Sequence, residues 1–303
     1  MRFLAEFVMR GRLQAVVVTA VTALMALLLL PLAYLSGAAV GLVTLRIGPV
    51  QGLSVIAGAM LVVALSSGLL FGNPLPGIGF ALVLWMPVWV LATNLRRSAN
   101  LAQSVKLAAL FGAMLVFGIY LATDNPVSWW RSSLLEILSP ALEGAAKESI
   151  DEMSSAVAQI ARLMTGLMGG LMGLTLLGCL FIARWWQAIL YNPGGFQGEF
   201  HQLRLGKRFA VITLVVGLLL MSGGGAIQMV TDLLVVMVML YMIQGIAVSH
   251  ALVAKAGANA AWLVVLYLLL VFALPQTALT LAVAGFVDNW IDFRTIFGAK
   301  PKQ

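Results

Sequence analysis

Gln228 and Asp232, one helical turn apart in the apolar run "IQMVTDLLVV", are the residues best placed to do chemistry in this sequence. A carboxylate inside a membrane helix costs roughly 2.5–3.5 kcal/mol to insert, so it is kept either for a function or for a hydrogen bond to a neighbouring helix. Beside an amide it could bind a polar solute, which makes Gln228 and Asp232 a candidate ligand pocket. Polar chemistry also gathers in "RWWQAILYNPGGFQGEFHQLRLGKR", residues 184–208. Trp185, Trp186, Asn192, Pro193, Gly194, Gly195, Phe196, Glu199, His201 and Arg204 make this a candidate functional loop. A third group is "GFVDNWIDFR", 285–294, with Asp288, Trp290, Asp292 and Arg294. None of these forms a catalytic set. His201 and His250 are far apart and lack metal-ligand neighbours at useful spacing. Cys179 has no adjacent base, and "LGKRF" lacks the upstream Gly and the Ser/Thr of a phosphate-binding loop. The sequence therefore predicts no catalytic residue, no metal, no cofactor and no enzymatic activity.

The elements that must hold these residues are membrane helices. The chain is 62% hydrophobic and only 10% charged, whereas about 25% charge is usual for a soluble domain. Repeated apolar runs of roughly 18 residues fit membrane helices by length, and the alternating polarity of an outer-membrane barrel is absent. Helices are expected at 13–31, 33–46, 50–71, 77–94, 104–121, 157–183, 208–222, 227–252, 259–274 and 275–290. Several are short, so the fold class is an all-α, polytopic membrane helix bundle with eight to ten transmembrane or half helices in one domain, 1–303. The stretch Ala15–Leu30 reads as a first membrane helix, since no small-residue cleavage site follows it. The single cysteine excludes a disulfide framework.

Charge sets the expected orientation. Fifteen of the 18 cations fall on one side if the helices alternate, among them Arg2, Arg10, Arg12, Arg46, Arg96, Arg97, Arg184, Arg204 and Arg294. That side is cytoplasmic by the positive-inside rule, giving N-in and C-in. The segment 122–156, rich in Asp and Glu, is then extracytoplasmic. Within it Ser139-Pro140 reads as a helix start, followed by an apolar face from Leu142 to Ile160; a solvated acidic connector is the alternative. The loop 184–208 is then cytoplasmic, either a structured hairpin on the Asn192–Gly195 turn or a membrane-surface anchor through Arg184, Trp185 and Trp186. The overlapping pairs Gly166/Gly170 and Gly169/Gly173 suit close helix packing or a dimer seam, and Ala15, Thr19 and Ala23 repeat that spacing. "SGGGA", 222–226, is a tight turn or an unwound break lining a cavity.

Three passages, "LVTLRIGPVQGL" at 42–53, "ARWWQAILYNPGGFQGEFHQLRLG" at 183–206 and "GFVDNWIDFR", resemble the YybS-like family of bacterial membrane proteins, a domain of unknown function, in its proteobacterial branch. The resemblance covers essentially the whole chain and implies a multi-pass protein of the bacterial inner membrane, without an activity to carry over. Gly48-Pro49-x-x-Gly52 at a helix start is also similar to the S components of energy-coupling-factor vitamin transporters, and the cell-shape protein MreD is a further distant likeness. Two functions follow as expectations: solute binding or transport in the manner of an S component, or a scaffold recruiting a partner through 184–208 and the C-terminal segment. The partners expected are the lipid bilayer, a membrane or cytoplasmic protein and a small-molecule solute. The basic charge is accounted for by the inner leaflet, so no nucleic acid is expected.

Reporter fusions check the orientation. Fusions after Gln303 and within 100–104 should read cytoplasmic, and a fusion near residue 145 external; a periplasmic signal from the first would overturn the charge argument.

Overall fold

The computed structural model describes residues 1–142, 147–220 and 227–296, and every element among them is helical. In chain order these are α1 (Arg2–Met9), α2 (Arg12–Ala26), α3 (Leu32–Arg46), α4 (Pro49–Phe71), α5 (Leu75–Gly79), a π-helical stretch (Phe80–Trp85), α6 (Met86–Ser98), α7 (Leu101–Ala122) and α8 (Pro126–Leu142). They continue with α9 (Lys147–Tyr191), α10 (Gly195–His201), α11 (Lys207–Leu220), α12 (Ile227–Lys255), α13 (Ala261–Phe272), α14 (Leu274–Val287) and α15 (Phe293–Ile296). Five helical stretches among the described residues are long and apolar enough to cross a membrane: Pro49–Phe71, Leu75–Ser98, Leu101–Ala122, Asp151–Tyr191 and Ile227–Lys255. The 23 residues of α4 rise about 35 Å at about 1.5 Å each, against a hydrocarbon core of about 30 Å. Four shorter apolar helices, α2, α3, α13 and α14, accompany them. Among the described residues the protein is all-helical, and its long apolar helices make it a membrane protein.

The chain comprises two compact units, Met1–Ala108 with Leu174–Leu203 and Ala109–Gly173 with Arg204–Gln303. α7 and α9 each run without interruption from one unit into the other.

In the first unit the interior is small and close-packed. Ala15, Thr19 and Ala23, the small-residue face of α2, are buried, and α2 packs on α3 and α4. The Ser36 hydroxyl donates to the Thr19 carbonyl at 2.8 Å and accepts from the Trp85 indole at 2.9 Å. That one buried hydroxyl ties α2, α3 and the π-helical stretch together. The π stretch has a local cause. Pro87 cannot donate to the carbonyl four residues back and its ring would crowd it, so the wider turn just before it lets the 75–98 span stay helical. Gly48-Pro49 starts α4, with Gly48 at φ 152° and Pro49 in the first turn; the Trp89 indole donates to the Pro49 carbonyl at 2.8 Å. Cys179 is buried, and a β-carbon at Gly37 would stand 2.6 Å from its sulfur.

In the second unit the glycines bring backbones into contact. A β-carbon at Gly169 would lie 2.8 Å from the Gly112 carbonyl oxygen, and one at Gly112 would run into that of Gly169. The GxxxG face of α9 is thus used inside the chain, against α7 and α12. α12 and α14 meet in the same way: a β-carbon at Gly285 would strike the Tyr241 carbonyl oxygen and stand 2.7 Å from the Gly245 amide nitrogen.

The structure departs from expectation at three places. α1 precedes the first apolar run. The 122–156 helix begins at Pro126, where the Asn125 side chain accepts from the Ser128 amide at 3.1 Å, so Asn125-Pro126 is the helix start and Ser139-Pro140 lies inside α8. The helix survives Pro140 because the Ser139 hydroxyl donates at 2.7 Å to the Glu136 carbonyl, the acceptor that proline leaves without its amide. Finally, α9 does not stop at residue 183: its 45 residues run to Tyr191, taking the first third of the 184–208 loop into the helix. The "SGGGA" turn and residues 143–146 of the expected amphipathic face lie outside the described residues.

Gly285→Val should destabilise the protein by about 1–3 kcal/mol, read as a lower unfolding midpoint in detergent. Gly217→Ala in α11, where a β-carbon would meet nothing within 4 Å, should be neutral or raise it.

Candidate functional site

Asp232 sits in the second turn of α12, 1% exposed. Both carboxylate oxygens are engaged: Oδ2 accepts from the Tyr120 hydroxyl of α7 at 2.8 Å, and Oδ1 accepts from the Gly166 amide of α9 at 2.9 Å. Gln228, one turn earlier, donates through Nε2 to the Arg162 carbonyl. Arg162 C=O and Gly166 N–H are the acceptor and donor that pair with each other in a regular α-helix. The two α12 side chains therefore clip onto one rung of the α9 ladder from outside. A β-carbon at residue 166 would stand 2.8 Å from the Asp232 α-carbon, so only glycine admits this approach. The pair expected to line a pocket is occupied by its own chain, and its geometry is that of a latch between α7, α9 and α12. A buried carboxylate is tolerated there because each oxygen has a donor.

A denser polar cluster lies beside the C-terminal half of α12. Asp288 is fully buried; its Oδ2 accepts from Gln244 Nε2 at 2.9 Å and from Arg294 Nη1 at 2.6 Å, with Arg204 Nε at 3.6 Å. Arg204 also reaches Asp292 through Nη2 at 2.9 Å. These Arg204 contacts are ion pairs rather than aligned hydrogen bonds, and Asp288 Oδ1 has no hydrogen-bond partner. The backbone just after Arg204 is held by the same group: the Leu205 amide donates to Gln244 Oε1 at 3.0 Å and the Gly206 amide to Asn289 Oδ1 at 2.7 Å. Gly206 takes φ 87°, a conformation suited to glycine. Lys255 donates to the Arg294 carbonyl at 2.6 Å. Two arginines and two aspartates thus close on one another, while Trp290 and Ile291 remain 42% and 46% exposed.

The rest of the 184–208 loop folds back on α9 within the first unit. Asn192-Pro193 leaves the helix, Gly194 turns with φ 81°, and α10 returns. Phe196 and Phe200 each place their ring 5.7 Å from Phe181, and Arg184 forms a two-pronged ion pair with Glu199 while also donating to Gln187. The expected anchor is corrected here. Successive helical residues point about 100° apart, so Trp185 and Trp186 cannot both face the headgroups: Trp185 is 39% exposed and Trp186 is buried.

Of the residues singled out in the sequence, Arg204, Asp288, Asp292 and Arg294 are brought together, as are Gln228 and Asp232. Within the second unit, Arg204 and Gly206 bond to Asp288, Asp292 and Asn289 of the C-terminal segment. His201 ends α10, and His250 Nε2 lies 2.8 Å from the Tyr267 hydroxyl. Among the described residues no three His, Cys, Asp or Glu side chains gather as a metal site. Sequence reasoning did not single out Tyr120, Gln244 or Asn289. The adjacency of Gln244 to Gly245 was the available signal: an amide next to a glycine in an apolar run marks a polar contact at a close helix crossing. No protein-family model, curated protein or solved structure matches this chain.

Asp232→Leu strands the Tyr120 hydroxyl and should cost about 1–3 kcal/mol of stability. Asp232→Asn should cost less, and Tyr120→Phe least. A solute that raises the unfolding midpoint of the native protein but not of Asp232→Asn would return the pair to the role of a binding pocket.

Proposed function

We propose that this chain is a non-enzymatic, multi-pass protein of the bacterial inner membrane, N-in and C-in with eight to ten transmembrane or half helices, which recruits a protein partner at its cytoplasmic face. The observation that carries this reading is the ion-paired cluster joining Arg204 to Asp288 and Asp292. It pre-organises a surface on which Trp290 and Ile291 stand exposed beside the exposed cations Lys207 and Arg208. An aromatic anchor held by a rigid polar base, flanked by cations, suits a partner with an apolar pocket and an acidic rim. The surface lies at two of the three segments through which the chain resembles the YybS-like family, to which we assign it.

Solute binding or transport in the manner of an S component is the second reading. Its support is the break between α13 and α14 at Ala273 (φ −132°, ψ 48°), which leaves two helices of 12 and 14 residues. Each rises only about 18–21 Å, and such half-helices are used by transporters to build midplane sites. Two features expected of this reading are otherwise engaged. The small-residue face of α2, where a coupling partner would dock, is buried in its own unit, and Asp232 is bonded on both oxygens.

Purification in mild detergent, with mass spectrometry of proteins and metabolites, separates the two. Recruitment predicts a stoichiometric protein that is lost from Trp290→Ala/Ile291→Ser while the fold and yield persist. A copurified small molecule, with no protein dependent on those residues, would favour transport.

A further inference from the structure

We propose that α1 and the end of α9 form a specific site for the headgroup of one anionic phospholipid. A recess of about 350 Å³ is lined there by Arg2, Glu6, Met9, Arg10, Leu190 and Tyr191, a volume that suits a small polar headgroup. Its charged groups are two guanidiniums and one carboxylate. Arg2 donates through Nε to Glu6 at 2.8 Å, which leaves its two terminal nitrogens for another acceptor. Arg10 lies over the Phe7 ring at 5.8 Å. A third guanidinium, Arg46 from α3, covers the Tyr191 ring at 4.0 Å, so the aromatic wall is itself backed by a cation. Three positive charges against one negative, with planar guanidiniums at the rim, are chemistry for a phosphodiester.

Two observations point to a lipid rather than a soluble phosphate. α1 is amphipathic in the manner of an interfacial helix: Ala5 and Val8 are buried, while Phe3 stands 72% exposed on the helix that begins at Arg2 and is capped by Arg10. Immediately after Arg10, α2 presents Leu13, Val17 and Val21 at four-residue steps, 72%, 44% and 46% exposed. An apolar stripe therefore leads away from the cationic recess along the direction acyl chains would take. A free phosphate has no use for it. The site is more than the general attraction of basic residues to an acidic leaflet, since it names two residues that bind and one, Glu6, that opposes binding.

The test uses the full chain in mixed micelles, titrated with phosphatidylglycerol or phosphatidylcholine and read by native mass spectrometry. The native protein should retain one phosphatidylglycerol that phosphatidylcholine does not displace. Arg2→Gln/Arg10→Gln should weaken retention about 30-fold, at about fivefold for each cation near the surface. Glu6→Gln should strengthen it about fivefold, and Arg97→Gln, an exposed cation outside the recess, should leave it within about twofold. The gain in Glu6→Gln decides the matter even if the double variant folds poorly, because loss of structure cannot tighten binding. Equal retention of both lipids, unchanged retention in the double variant, or no gain in Glu6→Gln would each overturn the site. Displacement of the lipid by millimolar inorganic phosphate or glycerol phosphate, with the same dependence on Arg2 and Arg10, would overturn the lipid in favour of a soluble phosphate.

Discussion

The second unit depends on the backbone contact between α12 and α14. Where Gly245 and Gly285 meet, neither helix has a side chain to hold the other away, so the attraction is dispersion between main chains over a short, dry surface. That proximity brings Gln244 against Asp288, and through them the start of α11 and the C-terminal turn. The same helix reaches α7 and α9 at its other end through Asp232 and Gln228. α12 is therefore fastened by polar contacts near its start and past its middle, and along one side by close packing. In an apolar phase this division is expected. Burying more oil gains nothing against lipid, so specificity must come from small residues that allow approach and from polar groups that require a partner.

The buried charges follow from the same constraint. Asp288 is fully buried with an oxygen that no donor meets, next to arginines that are only partly exposed. Such an arrangement is weak as a source of stability, because desolvation offsets most of the attraction. What it does supply is register: the segment after α10 joins the C-terminal turn with Arg204 paired to both aspartates and the next two amides held by Gln244 and Asn289. A lysine in place of Arg204 would carry the charge but not the fork that reaches two carboxylates at once.

The class of the protein was legible from composition alone, and most helix bodies from apolar runs. Their ends were not, where the deciding interaction was local and polar. Pro140 was read as a start because proline favours the first turn; only the Ser139 hydroxyl, by satisfying Glu136, lets it stand inside a helix. Residues 184–191 were read as loop because charge and tryptophan arrive there, yet Trp186 continues the buried face that Leu176, Cys179, Leu180 and Ala183 form on α9. The polar residues of the candidate sites were all visible as exceptions in an oily sequence, and what they were exceptions for was not. Asp232 carries the same letter whether it lines a cavity or clips a rung of α9, and the difference lies in Tyr120 and Gly166, 112 and 66 residues away in the chain. Interfacial tryptophans posed the converse difficulty, since a pair of adjacent indoles suggests one role where the helix assigns two.

The packing of Cys179 against Gly37 makes this chain a ready-made background for accessibility mapping. Its one thiol is sealed in the interior of the first unit, with no room on the facing helix even for a methyl group. Thiol-reactive probes that stay outside the membrane would find nothing to label in the native protein. A cysteine introduced at any loop would then report its own side of the bilayer without a cysteine-free parent having to be built, and without disturbing a crossing that tolerates no change in volume.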